Sequence, residues 1–211
     1  MFAGMETSSH SMTSALYFLH KNPDKLAILL KELEDAGLKR FEKHNDLYTL
    51  EKMQELNYLN YVVKEALRLD GPAFDSLNHC TYEDVRICGV PIPKGTILRL
   101  DMQVTHLDPK EWQKPNEFIP ERFDPESEYF LRPNSGGKSR SPYSFIPFTY
   151  GSRGCPGRSF AMLEIRVVLA YLLTHVDFSI EKEYFDRPGI GFGVGTNLEM
   201  DFTVIRNIDL E

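Results

Sequence analysis

Phe148-Thr149-Tyr150-Gly151-Ser152-Arg153-Gly154-Cys155-Pro156-Gly157-Arg158-Ser159-Phe160-Ala161 sets one cysteine in a loop bracketed by glycines, with a proline directly after it. Glycines let backbone wrap close to a sulfur. Met162–Thr174 is amphipathic and is read as a helix directly downstream. Pro156 is expected at its first position, where a missing N–H costs nothing. A helix so placed turns its positive end toward the thiol and favours S⁻ over SH, and Arg153 and Arg158 add positive charge. Three readings are open for Cys155: a redox or nucleophilic cysteine, an iron ligand, or a small buried core residue. A core cysteine needs neither the glycines nor arginines at fixed offsets, so the loop argues for a presented thiolate.

The rest of the chain limits what such a thiolate could serve. The 211 residues carry a net charge of −7, which argues against a nucleic-acid partner. Hydrophobic content is 42%, enough for a globular core. Cys80, Cys88 and Cys155 form neither a disulfide framework nor a Cys-x-x-Cys pair, which fits a reducing compartment. The longest wholly apolar run, Val167–Leu173, is too short to span a bilayer, and no signal peptide is visible.

Periodicity outlines the elements. Met12, Ala15, Leu16 and Leu19 recur at helical spacing up to a break at Asn22-Pro23. A second helix is expected over Asp24–Ala36, with Leu26, Leu29, Leu30 and Leu33 on its apolar face and Gly37 as its stop. Leu38–Tyr48 is a polar connector, and Leu50–Leu69 is expected as one longer helix. On that helix Glu65 and Arg68 share a face at i, i+3 and can pair. Val85–Cys88, a turn at Gly89, and Thr96–Leu100 are expected as a β-hairpin. Met102–Pro125 is rich in prolines and acids and reads as a meander, and Glu126–Tyr143 as an exposed insertion. Val176–Ile180 and Phe202–Ile205 are read as strands joined by a turn containing Gly189, Gly191, Gly193 and Gly195. That spacing is no Gly-x-Gly-x-x-Gly fingerprint. The fold class is therefore mainly α with small β-sheets. Ala3-Gly4-Met5-Glu6-Thr7-Ser8, taken alone, is a polar helix start.

Phe148, Gly151, Arg153, Cys155, Gly157 and Ala161 occupy every fixed place of the pattern Phe-x-x-Gly-x-Arg-x-Cys-x-Gly-x-x-x-Ala. In this the chain resembles the cytochrome P-450 family, whose haem iron is held by a cysteine thiolate that favours O–O cleavage. The resemblance implies that Cys155 is the axial ligand of haem b, that Phe148 and Gly157 belong to the cofactor loop, and that Arg153 and His79 bind haem propionates. Glu65-x-x-Arg68 and Pro120-Glu121-Arg122-Phe123 resemble the family's structural triad, with Glu65, Arg68 and Arg122 as members. Ala3-Gly4-x-Glu6-Thr7-Ser8 resembles its oxygen-activation motif, in which the glycine loosens the helix while Glu6 and Thr7 deliver protons. Phe2, Ala3, Ala73, Phe74, Ser76 and Leu77 become candidate substrate contacts. After Arg68 the chain reads Leu69-Asp70-Gly71-Pro72, where the family more often has a proline pair.

The implied fold is the C-terminal half of the cytochrome P-450 fold, starting midway along a long helix with the N-terminal half absent. The missing part would carry any membrane anchor. The implied activity is monooxygenation of a small apolar organic substrate with O2. Electrons would come ultimately from NADPH through a reductase or other redox partner at the Cys155 face. Lys138, Arg140, Arg153 and Arg158 are read as a basic cluster that would steer an acidic partner there. Localisation is open from the residues; a whole microsomal-like member would sit on the cytosolic face of the endoplasmic reticulum membrane. Two alternatives stand beside this: a haem-thiolate isomerase or peroxide-using enzyme, and a truncated, non-catalytic haem-binding fragment.

Overall fold

Helices dominate the described structure, and small antiparallel sheets fill in at its margins. The computed structural model describes residues 2–40, 48–73, 75–180 and 200–204. Helix α1 runs over Phe2–Lys21, and Asn22 closes it by donating from its side chain to Phe18 O at 2.8 Å. Pro23 opens α2 (Pro23–Asp35), where its fixed φ suits the first turn. Leu16 and Leu19 of α1 meet Leu29 and Leu33 of α2 in a core shared with later helices. Burying each such leucine contributes roughly 1.5–3 kcal/mol.

The single helix expected over Leu50–Leu69 is two. α3 covers Leu50–Glu55 and α4 covers Asn57–Asp70, with Leu56 at φ −78°, ψ 81° between them. The break has a cause on α2. The Glu32 carboxylate accepts the Tyr58 N–H at 2.6 Å and the Leu59 N–H at 2.9 Å. These are orphan donors of a new helix start, so a tertiary carboxylate replaces the carbonyls of a continuing helix.

The hairpin is also rearranged. β1 (His79–Cys80) and β4 (Ile97–Leu98) pair with each other, while β2 (Val85–Ile87) pairs with β3 (Val90–Ile92). Cys88 and Gly89 sit at φ 49° and 83°, which makes a two-residue turn that closes at once onto Val90. Val85–Ile87 therefore takes Val90–Ile92 as partner, and Ile97–Leu98 is left for the strand containing His79.

α5 (Met102–His106) is capped by the Asp101 side chain, which accepts the Val104 N–H at 3.2 Å. The meander that follows includes a short 3-10 turn at Pro120–Phe123. The stretch read as an exposed insertion reaches back into the fold, since Arg140 donates to Arg122 O at 2.7 Å. α6 (Arg158–His175) starts two residues after Pro156, not at it. Gly157 is its N-cap and its carbonyl accepts the Ala161 N–H at 2.9 Å, so Pro156 belongs to the turn before the helix. β5 (Val176–Ile180) pairs antiparallel with β6 (Met200–Val204). Ile205, the glycine-rich turn and Phe74 lie outside the described residues.

Candidate functional site

The cysteine loop is held by its own backbone. The Cys155 N–H donates to Phe148 O at 2.9 Å and the Gly154 N–H to Gly151 O at 3.0 Å. Thr149 and Gly151 adopt φ of 60° and 80°, the left-handed region that turns the chain sharply. The Phe148 ring packs against the core, which anchors the loop at its start. The result is a Cys155 thiol on the surface, at the positive end of α6. A Cβ on Gly157 would lie 3.9 Å from Sγ, so this glycine keeps one side of the sulfur open.

Behind the loop lies a buried ion network. Glu65 and Arg122 are 0% exposed and Arg68 is 1% exposed. Arg68 meets Glu65 with both Nε and Nη2 at 2.8 Å, and Arg122 Nε donates to Glu65 Oε1 at 2.9 Å. Ile119 N–H adds a bond to the same oxygen at 2.9 Å. Arg68 spends its remaining donors on the carbonyls of His106, Pro115 and Glu117, at 2.9, 2.6 and 3.2 Å. Arg122 donates to the carbonyls of Gln113, Lys114 and Glu117. Two guanidinium groups thus tie the meander to α4 through one shared carboxylate and a set of backbone carbonyls. Burial lowers the Arg122 pKa, and Glu65 opposes the shift.

α1 carries Glu6, which is exposed, and Thr7, whose hydroxyl donates to Ala3 O at 2.7 Å. The helix is continuous through Gly4, so the loosened backbone implied by the resemblance is not observed. Ser8, one residue on, donates to Glu164 Oε2 of α6 at 2.7 Å. That bond joins the early turns of α1 and α6, so Ala3, Glu6 and Thr7 and the cysteine loop lie at the same end of the two helices. Ala3 is exposed, and Phe2 opens α1 with its side chain outside the description. Beyond α4, Ala73 is half-buried, Ser76 is buried, and Leu77 is 78% exposed. His79 is exposed on β1, and Arg153 is exposed in the loop.

The expected basic cluster needs correction. Arg140 is turned inward: it bonds Tyr129 O at 2.9 Å and Arg122 O at 2.7 Å, and its guanidinium rests 4.2 Å from the Trp112 ring centroid. Burial pushes its pKa down to about 10. Lys64 of α4 instead lies within electrostatic reach of Arg158 and Arg166 of α6. Burial first, then Arg158 and Arg166, lower the Lys64 pKa. Lys64 and Arg166 come from helix faces that a linear reading does not associate with Cys155.

Two other residues were missed as parts of the site. His106 accepts the Ile146 N–H on Nε2 at 3.0 Å, just before the cysteine loop, and burial pushes its pKa down to about 4. Phe160, in the first turn of α6, is 69% exposed, an apolar ring off the helix's core stripe. Its place within the cysteine signature is the available signal. A groove of 1130 Å³ opens elsewhere, between the end of α1 and the meander, lined by Tyr17, Phe18, Lys25, Phe118, Glu121 and Tyr129. It contains no residue of the cysteine loop, so the chemistry is placed by the thiol and not by the size of this groove.

The family model for cytochrome P450 matches residues 1–195. The chain belongs to the cytochrome P450 family.

Among relatives, rat cytochrome P450 3A2 is 34% identical over 183 residues, covering 87% of this chain and 33% of the relative. Human cytochrome P450 4V2 is 34% identical over 203 residues, covering 92% of this chain and 36% of the relative. Cytochrome P450 71D18 of Mentha gracilis is 35% identical over 184 residues, covering 87% of this chain and 34% of the relative. The chain thus spans about a third of the length of these relatives. At family level this is a haem-thiolate monooxygenase group, with NADPH-derived electrons.

The residues present fit a thiolate-bound haem. Among the described residues no cluster of three His, Cys, Asp or Glu could hold a metal ion. Cys155 offers a single soft donor, exposed and two residues before the N-cap of α6. Exposed Met5, Leu77 and Phe160 supply apolar surface on α1, on the segment after α4 and on α6, the elements that carry the motifs of a cytochrome P450. Among the described residues no helix is long and apolar enough to cross a membrane.

Proposed function

We propose that this chain is the C-terminal, haem-binding part of a cytochrome P450 monooxygenase that oxygenates a small apolar organic substrate, forming a single partial domain over 1–211. The observation that carries this is Cys155, exposed on a glycine-bracketed loop at the positive end of α6. Haem, when bound, supplies the iron redox chemistry that activates dioxygen. Cys155 Sγ holds the iron, and Gly157 leaves room at the sulfur. Arg153 and His79 hold the propionates. Glu6 and Thr7 hold and pass protons, with Thr7 Oγ1 oriented by its bond to Ala3 O. Ala3, Ala73, Leu77, Phe2 and Phe74 bind and orient the substrate. Glu65, Arg68 and Arg122 keep the meander and the loop in place.

The electron donor is a reductase or similar protein with an acidic face, meeting Arg158 and Lys64 beside the cysteine loop. The microsomal-like form of the signature supports a location for the whole protein at the cytosolic face of the endoplasmic reticulum membrane.

The test is the ferrous carbon monoxide difference spectrum of haem-loaded chain and of Cys155→Ala. A Soret band at the position of thiolate ligation, lost in the variant, is expected. Haem uptake with no such band overturns the role of Cys155.

A further inference from the structure

The turn after α4 is held by a carboxylate in an unfavourable place. Asp70 is the last residue of α4 and only 8% exposed. A negative charge at a helix C-terminus is repelled by the exposed carbonyls, so other groups must hold it there. Those groups come from α1. Asp70 Oδ2 accepts the Ser14 hydroxyl at 2.6 Å, and Ser14 is 1% exposed. His10 Nε2 lies 3.1 Å from the same oxygen. Nε2 is buried and has no well-aligned hydrogen-bond partner, so proximity and charge hold it to Asp70. His10 and Ser14 are spaced i, i+4 and share a face, so one carboxylate grips two successive turns of α1.

The chain beyond Asp70 has little freedom. A Cβ on Gly71 would meet Leu67 O at 2.7 Å, and Pro72 is buried. Further on, the Ser76 N–H donates to Leu100 O at 2.8 Å and the Leu100 N–H donates to Ser76 Oγ at 2.9 Å. Residues 71–73 thus follow directly on the anchor at Asp70, and the chain is anchored again at Ser76.

We propose that Asp70 is a positioning residue that fixes the course of the described residues after α4, 71–73 and 75–77, against α1 through Ser14 and His10. The importance of that segment as a substrate contact rests on the monooxygenase reading above; the clamp itself does not.

Around His10, α1 offers Glu6 one turn earlier, α4 offers Asp70, and α6 offers Glu164, which is taken up by Ser8. Arg68, two residues before Asp70, is committed to Glu65 and the meander carbonyls. β5 meets α1 farther along, at His20, and its Asp177 pairs with Arg40. α2 follows the far end of α1, where Lys25 pairs with Glu121. Asp70 thus governs the imidazole and raises its pKa, with partial burial opposing. For a base held above its ordinary value, the stabilisation is complete below about 6.5 and fades as pH rises through the higher folded value. The clamp is firm on the acidic side of neutrality and loosens on the basic side.

The experiment tracks the His10 imidazole by NMR in the full chain, together with hydrogen exchange at the Ser76 amide, each pH being referred to its own unprotected exchange rate. In the unaltered chain His10 is expected to titrate above 6.5, and Ser76 protection to fall several-fold through that titration. Asp70→Asn should bring the His10 titration to 6.5 or below. His10→Gln, at a partly exposed position, should leave Ser76 protection flat with pH. A merely structural Asp70 would shift protection equally at every pH. The proposal is overturned if His10 titrates identically in Asp70→Asn, or if Ser76 protection in the unaltered chain ignores the His10 titration. If Asp70→Asn does not fold, the unaltered chain and His10→Gln decide. Neither readout needs haem, so failure here is distinguishable from failure of the carbon monoxide spectrum.

Discussion

His106 Nε2 accepts the Ile146 N–H at 3.0 Å, and the histidine can do so only while that nitrogen is unprotonated. Burial and the nearby Arg68 push its pKa down to about 4, from an ordinary value near 6.5. The unfolded chain therefore binds the extra proton first as pH falls. Stability from this residue is complete above 6.5 and is lost progressively down to about 4, by about 3 kcal/mol. Urea midpoints taken across this window should fall with pH, and His106→Gln should flatten the fall. An equal fall in the variant would assign it to other groups.

Glu65→Gln should cost about 3–5 kcal/mol, because it leaves two buried guanidinium groups without a carboxylate. Arg122→Ala should cost about 1–3 kcal/mol, because Glu65 keeps Arg68 while the carbonyls of Gln113 and Lys114 lose their donor. Arg68→Lys should not rescue the site, since an ammonium cannot reach Glu65 and the carbonyls of His106, Pro115 and Glu117 together. Equilibrium unfolding measures both. A loss below about 1 kcal/mol for Glu65→Gln would show that the network contributes far less than its geometry implies.

Two glycines of the cysteine loop should respond differently to alanine. Gly151 has φ 80°, so Gly151→Ala should cost about 1–2 kcal/mol through backbone strain. Gly157 has φ −86°, and its added Cβ would touch only Sγ, at 3.9 Å. Gly157→Ala should leave stability nearly unchanged while slowing modification of Cys155 by a bulky thiol reagent. Urea midpoints and labelling rates separate the two effects, and the reverse order would overturn the assignment.

Glu32→Ala should uncap α4 at a cost of about 1–2 kcal/mol, as it removes the acceptor of the Tyr58 and Leu59 N–H groups. Hydrogen exchange at those two amides should rise with it. Unchanged exchange there would mean that water serves the helix start equally well.

Local signals carried much of this fold into view. Leucines at helical spacing, the break at Asn22-Pro23 and the strand at Val176–Ile180 were legible because each is decided by neighbours in the chain. The illegible parts came from partners distant in sequence. The break at Leu56 depends on Glu32, and the pairing of Ile97–Leu98 with His79–Cys80 results from how tightly Cys88-Gly89 turns. Arg140 looked like a surface cation because nothing near it in sequence announces Trp112 or the Arg122 carbonyl. The cysteine loop was readable as a motif, and its backbone bonds lie within that motif. Its setting, with Lys64 and His106 close to or supporting it, required the folded chain.

Trp112 is the only tryptophan, and the guanidinium groups of Arg68 and Arg140 lie 5.1 and 4.2 Å from its ring centroid. Its emission is therefore an optical gauge of the ion network. Any event that loosens Arg68 from Glu65 changes the field at the indole, so network opening can be timed by stopped-flow fluorescence without adding a label.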